Sequence, residues 1–510
     1  MGNQVCGRVC ETFGRRRDDG LSRGSGGALG GSSPLLGDIS GSAIVASDDL
    51  DTLPLPPAVS STRRPTMMNG KEEDKEAEER NAAAMLLCRV GEVVPSDGVS
   101  SEGSSFSTVP VSTHAGRIKD VSRFYLHCLG AEETARLIQL RGRLPTLLAR
   151  ARAGSTRAAA KSCLLFWGAN LEVPGDATDI ILLKHLRAEE GIVDLAAERL
   201  VRTLMYRAEE EIDELVDIPL EEVGVRYAAA GFVGGTDVHG RPVAVSRTPE
   251  GQDADALMGD IPGFVRYNFW IKEQAFKRMK LARGLPEDIC QIIDLSAAKF
   301  GPPPRAIQES SKVFKLHCPE SNGVNIFANA PSWVVGVFKL CSKFADPRTF
   351  SRIRLIGVDE HLKLFELVPP ESVPIFLGGM RPEGPNEVSD AGPCQVVEVV
   401  AGEAAEVKAL DVLGPVQVNC ELRVCSQAIA YQVLFSKADA RADEPTVVVA
   451  ESFAARPLQA SEGVVTVRYQ TKEAGTVSCR FHCEAARFGS RAKTRVCVVR
   501  ATALPKDSEP

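Results

Sequence analysis

The chain has 510 residues, of which 60 are basic, 67 are acidic and 44% are hydrophobic, and its formal charge is −7. At about 150 residues per domain, this length accommodates about three domains with a core in each. So small a net charge indicates neither a nucleic-acid nor a membrane surface, and we expect no nucleic-acid partner. The longest uncharged apolar stretch, Ser321–Phe338, is interrupted by asparagine, proline and serine, so we expect no transmembrane helix.

The sequence contains none of the motifs that would indicate catalysis or a metal site. It has no phosphate-binding loop, no HExxH or CxxC motif, and no nucleophile elbow between a strand and a helix. No secretory leader precedes the 14 cysteines, so we expect mostly reduced thiols. Cys479 and Cys483 occupy inward positions of an alternating strand, which favours buried thiols over metal ligands. We therefore expect no enzymatic activity, no metal and no cofactor.

Composition predicts a disordered tail over residues 1–115. Gly and Ser account for 14 of the 23 residues in Gly20–Ser42, and prolines and the charged run 71–80 follow. Such a segment buries too little apolar surface to offset the entropy lost on ordering. Only 82–90 has the composition of a short, transient helix.

A helical subdomain is predicted over 117–215. Leucines recur at helical spacing from Leu126 to Leu148, interrupted at Pro145. A second helix is predicted over 177–188, capped by Asp176 or Asp179, and Asp194 opens a third.

Between 216 and 380, short apolar strands alternate with amphipathic helices, which predicts a largely parallel sheet. The predicted strands are Pro242–Ser246, Cys290–Leu295, Val324–Ala328 and Ile353–Gly357, and the predicted helices are Phe264–Arg283, Arg305–His317 and Ser332–Phe344.

A Pro/Gly-rich linker over 381–392 leads to a third pattern. Over 393–502, apolar and polar residues alternate with a period of two and no helical segment intervenes, which predicts an antiparallel β-sandwich.

Several short segments of the middle region resemble the CRAL-TRIO lipid-binding family. Leu182–Ala188 (LLKHLRA) is similar to its helical LLRFLRA element, and Gly235–Val243 (GTDVHGRPV) to its tDkdGRPV hairpin. Ile292–Leu295, Asn325–Pro331 and the Pro374–Gly379 segment (PIFLGG) match later elements in the same order. The sandwich is similar in position and pattern to the GOLD domain that follows CRAL-TRIO in patellin-like proteins.

The resemblance implies a carrier that holds one lipid over the sheet beneath a helical gate, here Ser332–Phe344. The residues assigned to this pocket and gate are Ile293, Phe327, Val334, Phe338, Cys341 and Phe344, with Lys339 and Lys343 facing elsewhere as membrane-surface cations. By its spacing alone, the same helix is more often an ordinary amphipathic core helix, and only the resemblance favours a gate.

The resemblance also assigns Glu320, Thr349 and Arg352 to a lipid headgroup site. The family pattern is broken at Ser321 and at Glu189, where the phosphatidylinositol-transfer members carry arginines. Phosphatidylinositol, another phospholipid and a neutral, tocopherol-like hydrophobe therefore all stay open as ligands, and a structural salt bridge between Glu320 and Arg352 is the alternative.

The N-terminus nearly matches a myristoylation signal at Gly2, with Cys6 and Cys10 as palmitoylation candidates and Arg15, Arg16 and Arg17 facing anionic lipid. We therefore expect a cytoplasmic protein attached peripherally to a Golgi, endosomal or plasma membrane. Ten basic residues between Arg117 and Lys161 form either a solvated helical face or a further membrane surface. The alternative function is a lipid-sensing adaptor whose GOLD-like domain binds a protein partner.

Overall fold

The computed structural model describes residues 125–300, 304–341, 351–382, 392–439, 446–452, 456–484 and 494–504. The predicted tail, 1–115, and most of the linker, 381–392, lie outside these residues. The helices are α1 Ala131–Gly154, α2 Thr156–Ala160, α3 Asp176–Ala188, α4 Val193–Glu209, α5 Leu220–Val223, α6 Ala254–Met258, α7 Ile261–Lys277, α8 Arg305–His317, α9 Ser332–Cys341 and α10 His361–Phe365. None of the described helices is long and apolar enough to cross a membrane.

The strands of the first half of the chain are β1 Leu165–Phe166, β2 Ala169–Asn170, β3 Gly231–Thr236, β4 Pro242–Ser246, β5 Ile289–Asp294, β6 Asn322–Ala330 and β7 Ile353–Gly357. The strands of the C-terminal region are β8 Gln395–Val399, β9 Ala404–Val412, β10 Gln417–Val424, β11 Ala430–Lys437, β12 Val447–Glu451, β13 Val464–Gln470, β14 Gly475–His482 and β15 Arg495–Leu504. The predicted fold class, a helical subdomain, a mostly parallel sheet and an antiparallel sandwich, is confirmed.

Helix α1 differs from the prediction because it runs through Pro145. A proline in a helix removes one backbone hydrogen bond. Here Leu140, Leu144, Leu147 and Leu148 are buried on one face and hold the helix continuous across that position. The leucine stripe therefore predicts the helix correctly, and the interruption predicted at Pro145 is wrong.

The predicted caps of α3 are also wrong. Gly175 is the N-cap residue, and no side chain caps the helix. Asp176 and Asp179 lie in the first turn, where carboxylates favour the positive end of the helix dipole. Asp179 instead accepts a hydrogen bond from Arg141 Nε at 2.7 Å, so it ties α3 to α1.

Helices α4 and α7 are joined by a buried charge network centred on Arg207. The Arg207 guanidinium donates to both carboxylate oxygens of Glu273, at 2.8 and 2.9 Å, and to Asp213 Oδ1 at 2.5 Å. Its planar group also lies over the ring of Phe166, 4.7 Å from the centroid. An arginine stays charged in the interior, so these partners must remain in place while the protein is folded.

The central sheet has the order β3-β4-β5-β6-β7, with β3 antiparallel to β4 and the other strands parallel. Residues paired across parallel strands point to the same side of the sheet. One side, called the front face, carries Ala244, Gln291 and Asn325, and the helical subdomain packs on it through Ala244. The other side, called the back face, carries Val245, Ile292 and Ile326.

The C-terminal region is a sandwich of two four-stranded antiparallel sheets, β13-β10-β15-β8 and β12-β11-β14-β9. The inward positions of β10 and β14 are buried, as the period-two pattern predicts. Cys479 and Cys483 are both fully buried among apolar side chains of this core.

The sandwich shares a core with the back face of the central sheet. Cys425, Val496 and Val498 of the sandwich belong to the same buried cluster as Ile292 and Ile326. Two hydrogen bonds accompany this contact: Arg423 Nη2 donates to the Ile375 carbonyl at 2.6 Å, and Cys425 Sγ donates to the Gly378 carbonyl at 3.3 Å. The two regions are thus joined by buried apolar surface, not only by the linker.

Replacing Arg207 with methionine tests the charge network. Glu273 and Asp213 would lose their buried cation, and breaking such a network costs about 3–5 kcal/mol. We expect the free energy of unfolding, measured by urea denaturation, to fall by about this amount. Arg150→Met is the matched control, because Arg150 pairs with Glu198 on the exposed surface and its loss should change stability little. Equal effects of the two variants would contradict the role of the network.

Two buried histidines, His185 in α3 and His317 at the end of α8, make the fold sensitive to acid. Burial lowers the pKa of His185 and of His317 from 6.5 to about 4. Between these values the unfolded chain binds more protons than the folded chain, so the free energy of unfolding decreases as the pH falls through this window. We expect the urea midpoint to drop from pH 7 to pH 5, and to drop less in His317→Gln. The exposed His239→Gln is the control and should retain the full dependence; an unchanged midpoint in the parent protein would refute the prediction.

Candidate functional site

The predicted headgroup residues Glu320 and Arg352 come together at the end of the sheet where β6 begins. Arg352 Nη2 donates to Glu320 Oε2 at 2.5 Å, and Arg352 Nη1 donates to the Asn322 carbonyl at 3.3 Å. Glu320 lies in the turn between α8 and β6 with a φ of 52°, a left-handed conformation that is uncommon for a residue with a long side chain. Surrounding contacts must stabilise this turn.

Two buried lysines that were not predicted complete the cluster. Lys184 Nζ donates to the Glu320 carbonyl at 2.8 Å, and Lys272 Nζ donates to Asn322 Oδ1 at 2.6 Å and to Ser321 Oγ at 3.3 Å. Burial lowers the pKa of both lysines, because a charged ammonium is poorly solvated there. We call Lys184, Lys272, Glu320 and Arg352 the polar cluster.

Asn322 connects the polar cluster to the front face of the sheet. Its Nδ2 donates to Gln291 Oε1 at 2.7 Å and to Asn325 Oδ1 at 2.6 Å. Gln291 and Asn325 are register partners on the adjacent strands β5 and β6, so they form a polar pair near the amino ends of these strands, flanked by Ala244 and Ile353.

Farther along the same strands, the front face becomes apolar. Ile293 pairs with Phe327, and Phe327 pairs with Leu355. These three side chains are half-buried, whereas their back-face neighbours Ile292 and Ile326 are completely buried. On its central strands β5 and β6, the front face is therefore polar near the amino ends and carries incompletely covered apolar side chains farther along.

Helix α9, the predicted gate, begins directly after β6. Val334 is buried and Phe338 is half-buried, one turn apart on the same side of the helix, as the prediction requires. Trp333 makes an edge-to-face contact with Phe300, with ring centroids 5.2 Å apart, and Phe300 is 54% exposed.

The remaining predicted site residues lie outside the described part of the chain and stay predictions. They are Gly2, Cys6, Cys10, Arg15, Arg16, Arg17, Lys343, Phe344 and Thr349, together with the side chains of Lys339 and Cys341.

The basic run of the helical subdomain is largely neutralised where the structure describes it. Seven of its cations form ion pairs with acidic side chains, many from neighbouring helices. The pairs are Arg136–Glu132, Arg141–Asp179, Arg143–Asp194, Arg150–Glu198, Arg152–Glu172, Arg157–Glu211 and Lys161–Glu214. This arrangement favours a solvated helical face over a membrane surface.

Glu189, which stands where the resemblance expects an arginine, is also paired. Its Oε1 lies 3.0 Å from Arg199 Nη1. The negative charge at this position is thus offset by a neighbouring cation.

A groove of about 470 Å³ lies on the helical subdomain beside Pro145. Its lining comes from α1, α3 and the segment between them, and includes Leu144, Leu148 and Leu171. None of its lining residues belongs to the central sheet or to α9, so this groove is separate from the polar cluster and the front face.

Comparison with known proteins identifies the middle region. The model of the CRAL/TRIO domain matches residues 228–379. Patellin-2 of Arabidopsis thaliana is 27% identical over 319 residues, which cover 61% of this chain and 45% of that protein. Patellin-6 of the same plant is 23% identical over 384 residues, covering 73% of this chain and 88% of that protein. The Sec14 cytosolic factor of Schizosaccharomyces pombe is 28% identical over 228 residues, covering 42% of this chain and 79% of that protein.

Residues 228–379 include the central sheet, the Glu320 turn and α9, so the candidate site lies within the matched segment. Residues 228–379 thus match the CRAL/TRIO domain, and the longer chain around them is similar to the patellins. It spans about half the length of the patellins it matches first, with 45% of Patellin-2 and 57% of Patellin-4 covered.

Proposed function

We propose that this protein binds a single amphiphilic lipid on the front face of the central sheet and exchanges or presents it at membranes. The observation that carries the proposal is the polarity of that face. Gln291 and Asn325 stand at the end beside the polar cluster, and Ile293, Phe327 and Leu355 stand at the other end, only half-buried. A molecule with a polar head and an apolar chain matches a surface that is polar at one end and apolar at the other.

Helix α9 supplies the gate in this proposal. Val334 and Phe338 present an apolar side, and the helix begins where β6 ends. Burying an acyl chain contributes about 0.8 kcal/mol per CH₂, but the bilayer provides the same stabilisation. Transfer of the chain is therefore nearly neutral, and the headgroup determines which lipid is preferred.

The polar cluster favours an anionic headgroup. Its members are three cations and one carboxylate, and because Asp288 and Glu287 also act on Lys184, the cations left for a headgroup are Lys272 and Arg352. Lys272 donates to the neutral side-chain oxygens of Ser321 and Asn322. A phosphate beside Lys272 and Arg352 would compensate the burial of the ammonium and accept charge-assisted hydrogen bonds. Because Glu189 is paired with Arg199, its negative charge repels a bound phosphate less than its sequence position suggests. We therefore place a phospholipid, with phosphatidylinositol as the leading candidate, ahead of a neutral tocopherol-like ligand.

Membrane contact is proposed at the start of α9. Trp333 and the exposed Phe300 form an aromatic pair beside the gate, and tryptophan and other aromatic rings favour the interface of a bilayer. With the predicted acyl signals at Gly2, Cys6 and Cys10, this pair supports a cytoplasmic protein held peripherally at a membrane.

The second candidate function is an adaptor whose sandwich binds a protein partner. The observation that favours it is the edge strand β12, on which Val447 and Val448 are about half exposed. Unpaired backbone groups and apolar side chains on an edge strand are suited to pairing with a strand of another protein.

Lipid specificity is tested with Lys272→Ala and Arg352→Ala in a transfer assay between liposomes. Each variant removes a charged donor worth about 1.5–3 kcal/mol, so we expect phosphatidylinositol transfer to fall about tenfold or more. Transfer of tocopherol should be unaffected. Arg354→Ala is the matched control, because Arg354 pairs with Ile326 of the back face and donates to the backbone carbonyls of Ser351 and Ile353, not to the polar cluster.

Unchanged phosphatidylinositol transfer by both variants would refute the headgroup assignment. Transfer of tocopherol alone by the parent protein would establish the neutral ligand instead.

The aromatic pair is tested by the double substitution Phe300→Ser/Trp333→Ser and sedimentation with phosphatidylcholine vesicles containing a minority of phosphatidylserine. Loss of two rings from the interface should weaken binding about tenfold. Val225→Ser is the control, because Val225 is 81% exposed but lies between α5 and β3, outside the aromatic pair. If the double variant binds vesicles as the parent does, another surface makes the contact.

A further inference from the structure

Two cysteines face each other across the interior of the sandwich. Cys420 lies on β10 and Cys479 on β14, so they belong to different sheets. Their sulfur atoms are 3.3 Å apart, and both side chains are buried. Each strand is an inner strand of its sheet, so both cysteines lie within the core of the sandwich.

This contact is close to the geometry of a cross-link. A disulfide requires sulfur atoms about 2.05 Å apart, so the two atoms must approach by only about 1.2 Å. Because the two sulfur atoms are already in contact, rotation about the side-chain bonds and a small movement of the sheets would bring them to bonding distance.

Neighbouring cysteines in the sandwich are directed elsewhere. Cys425 Sγ donates to the Gly378 carbonyl at 3.3 Å, and Cys483 Sγ donates to the Glu484 carbonyl at 3.5 Å. Cys497 is buried in the same core and provides a matched comparison. The contact thus selects one pair among five buried thiols of this region.

We propose that Cys420 and Cys479 are a latent disulfide site that closes by exchange with a low-molecular-weight disulfide such as oxidised glutathione. One thiolate attacks the glutathione disulfide, forming a mixed disulfide and releasing one glutathione thiolate. The second thiolate attacks the protein sulfur of that mixed disulfide and releases the second glutathione. In sum, two protein thiols and one oxidised glutathione give one protein disulfide and two reduced glutathiones.

The buried position determines when the reaction occurs. Contact with Cys420, together with burial, raises the pKa of Cys479 far above its ordinary value, and the thiolate is the reacting form. The folded thiols are therefore protected, and the cross-link forms during folding or when the sheets separate transiently. Once formed, it closes a loop between positions 59 residues apart and links the sheet that covers the back face to the outer sheet.

The test uses the full chain, unfolded and reduced, then refolded either with a mixture of oxidised and reduced glutathione or with dithiothreitol. Free thiols are blocked at acidic pH, and the unreduced protein is digested and analysed by mass spectrometry. We expect a Cys420–Cys479 peptide pair, two hydrogens lighter than the free peptides, only in the glutathione sample. That sample should also have a midpoint of thermal unfolding several degrees higher.

The variants Cys420→Ala and Cys497→Ala separate this site from general cysteine oxidation. Cys497→Ala should retain both the cross-linked peptide and the rise of the midpoint, whereas Cys420→Ala should lose both. The proposal is overturned if Cys420 and Cys479 remain free in the refolded parent protein, or if either pairs with another cysteine. The peptide map of the parent decides the question even if a variant fails to fold.

Discussion

The interaction on which the rest of the structure depends is the buried contact of Arg207 with Glu273 and Asp213. It fixes α7 against the helical subdomain, and α7 in turn covers the front face beside β3 and β4. The residue before Glu273 is Lys272, whose side chain reaches Asn322 in the polar cluster. A charge that cannot leave the interior thus determines where the helix carrying a candidate ligand-binding cation lies.

A second charge pair, formed by Glu320 and Arg352, lies at the candidate site. These two residues form a salt bridge, and the family resemblance also assigns them to the lipid headgroup site. These two interpretations are compatible, because a bound phosphate can share the guanidinium while Glu320 holds it in place. What distinguishes a binding site from a purely structural pair is its surroundings: two buried lysines on one side and a half-covered apolar surface on the other.

Much of the fold could be predicted from the sequence because the periodicity of apolar residues reports which faces are buried. The bounds of β4, β7 and α8 are as predicted, since each is a short apolar or amphipathic run with clear ends. The course of α1 through Pro145 was not predictable, because tertiary packing of leucines outweighs local preference. The cap of α3 was not predictable because Asp179 hydrogen-bonds to Arg141 of α1 instead. Lys184 and Lys272 were not predicted for a related reason. A lysine in a helix is usually exposed, and only the fold shows that these two are buried. For Lys184, the nearest sequence signal was the LLKHLRA element that contains it.

The shared core between the sandwich and the back face has a thermodynamic consequence. Since Val498 and Cys425 are buried against the sheet that carries the candidate site, separating the two regions exposes apolar surface on both. They should therefore behave as one cooperative unit, in which anything that stabilises the sandwich also resists opening of the sheet. A protein bound at the outer sheet and a lipid bound at the front face would then be linked energetically without touching each other, so the carrier and adaptor functions need not be exclusive.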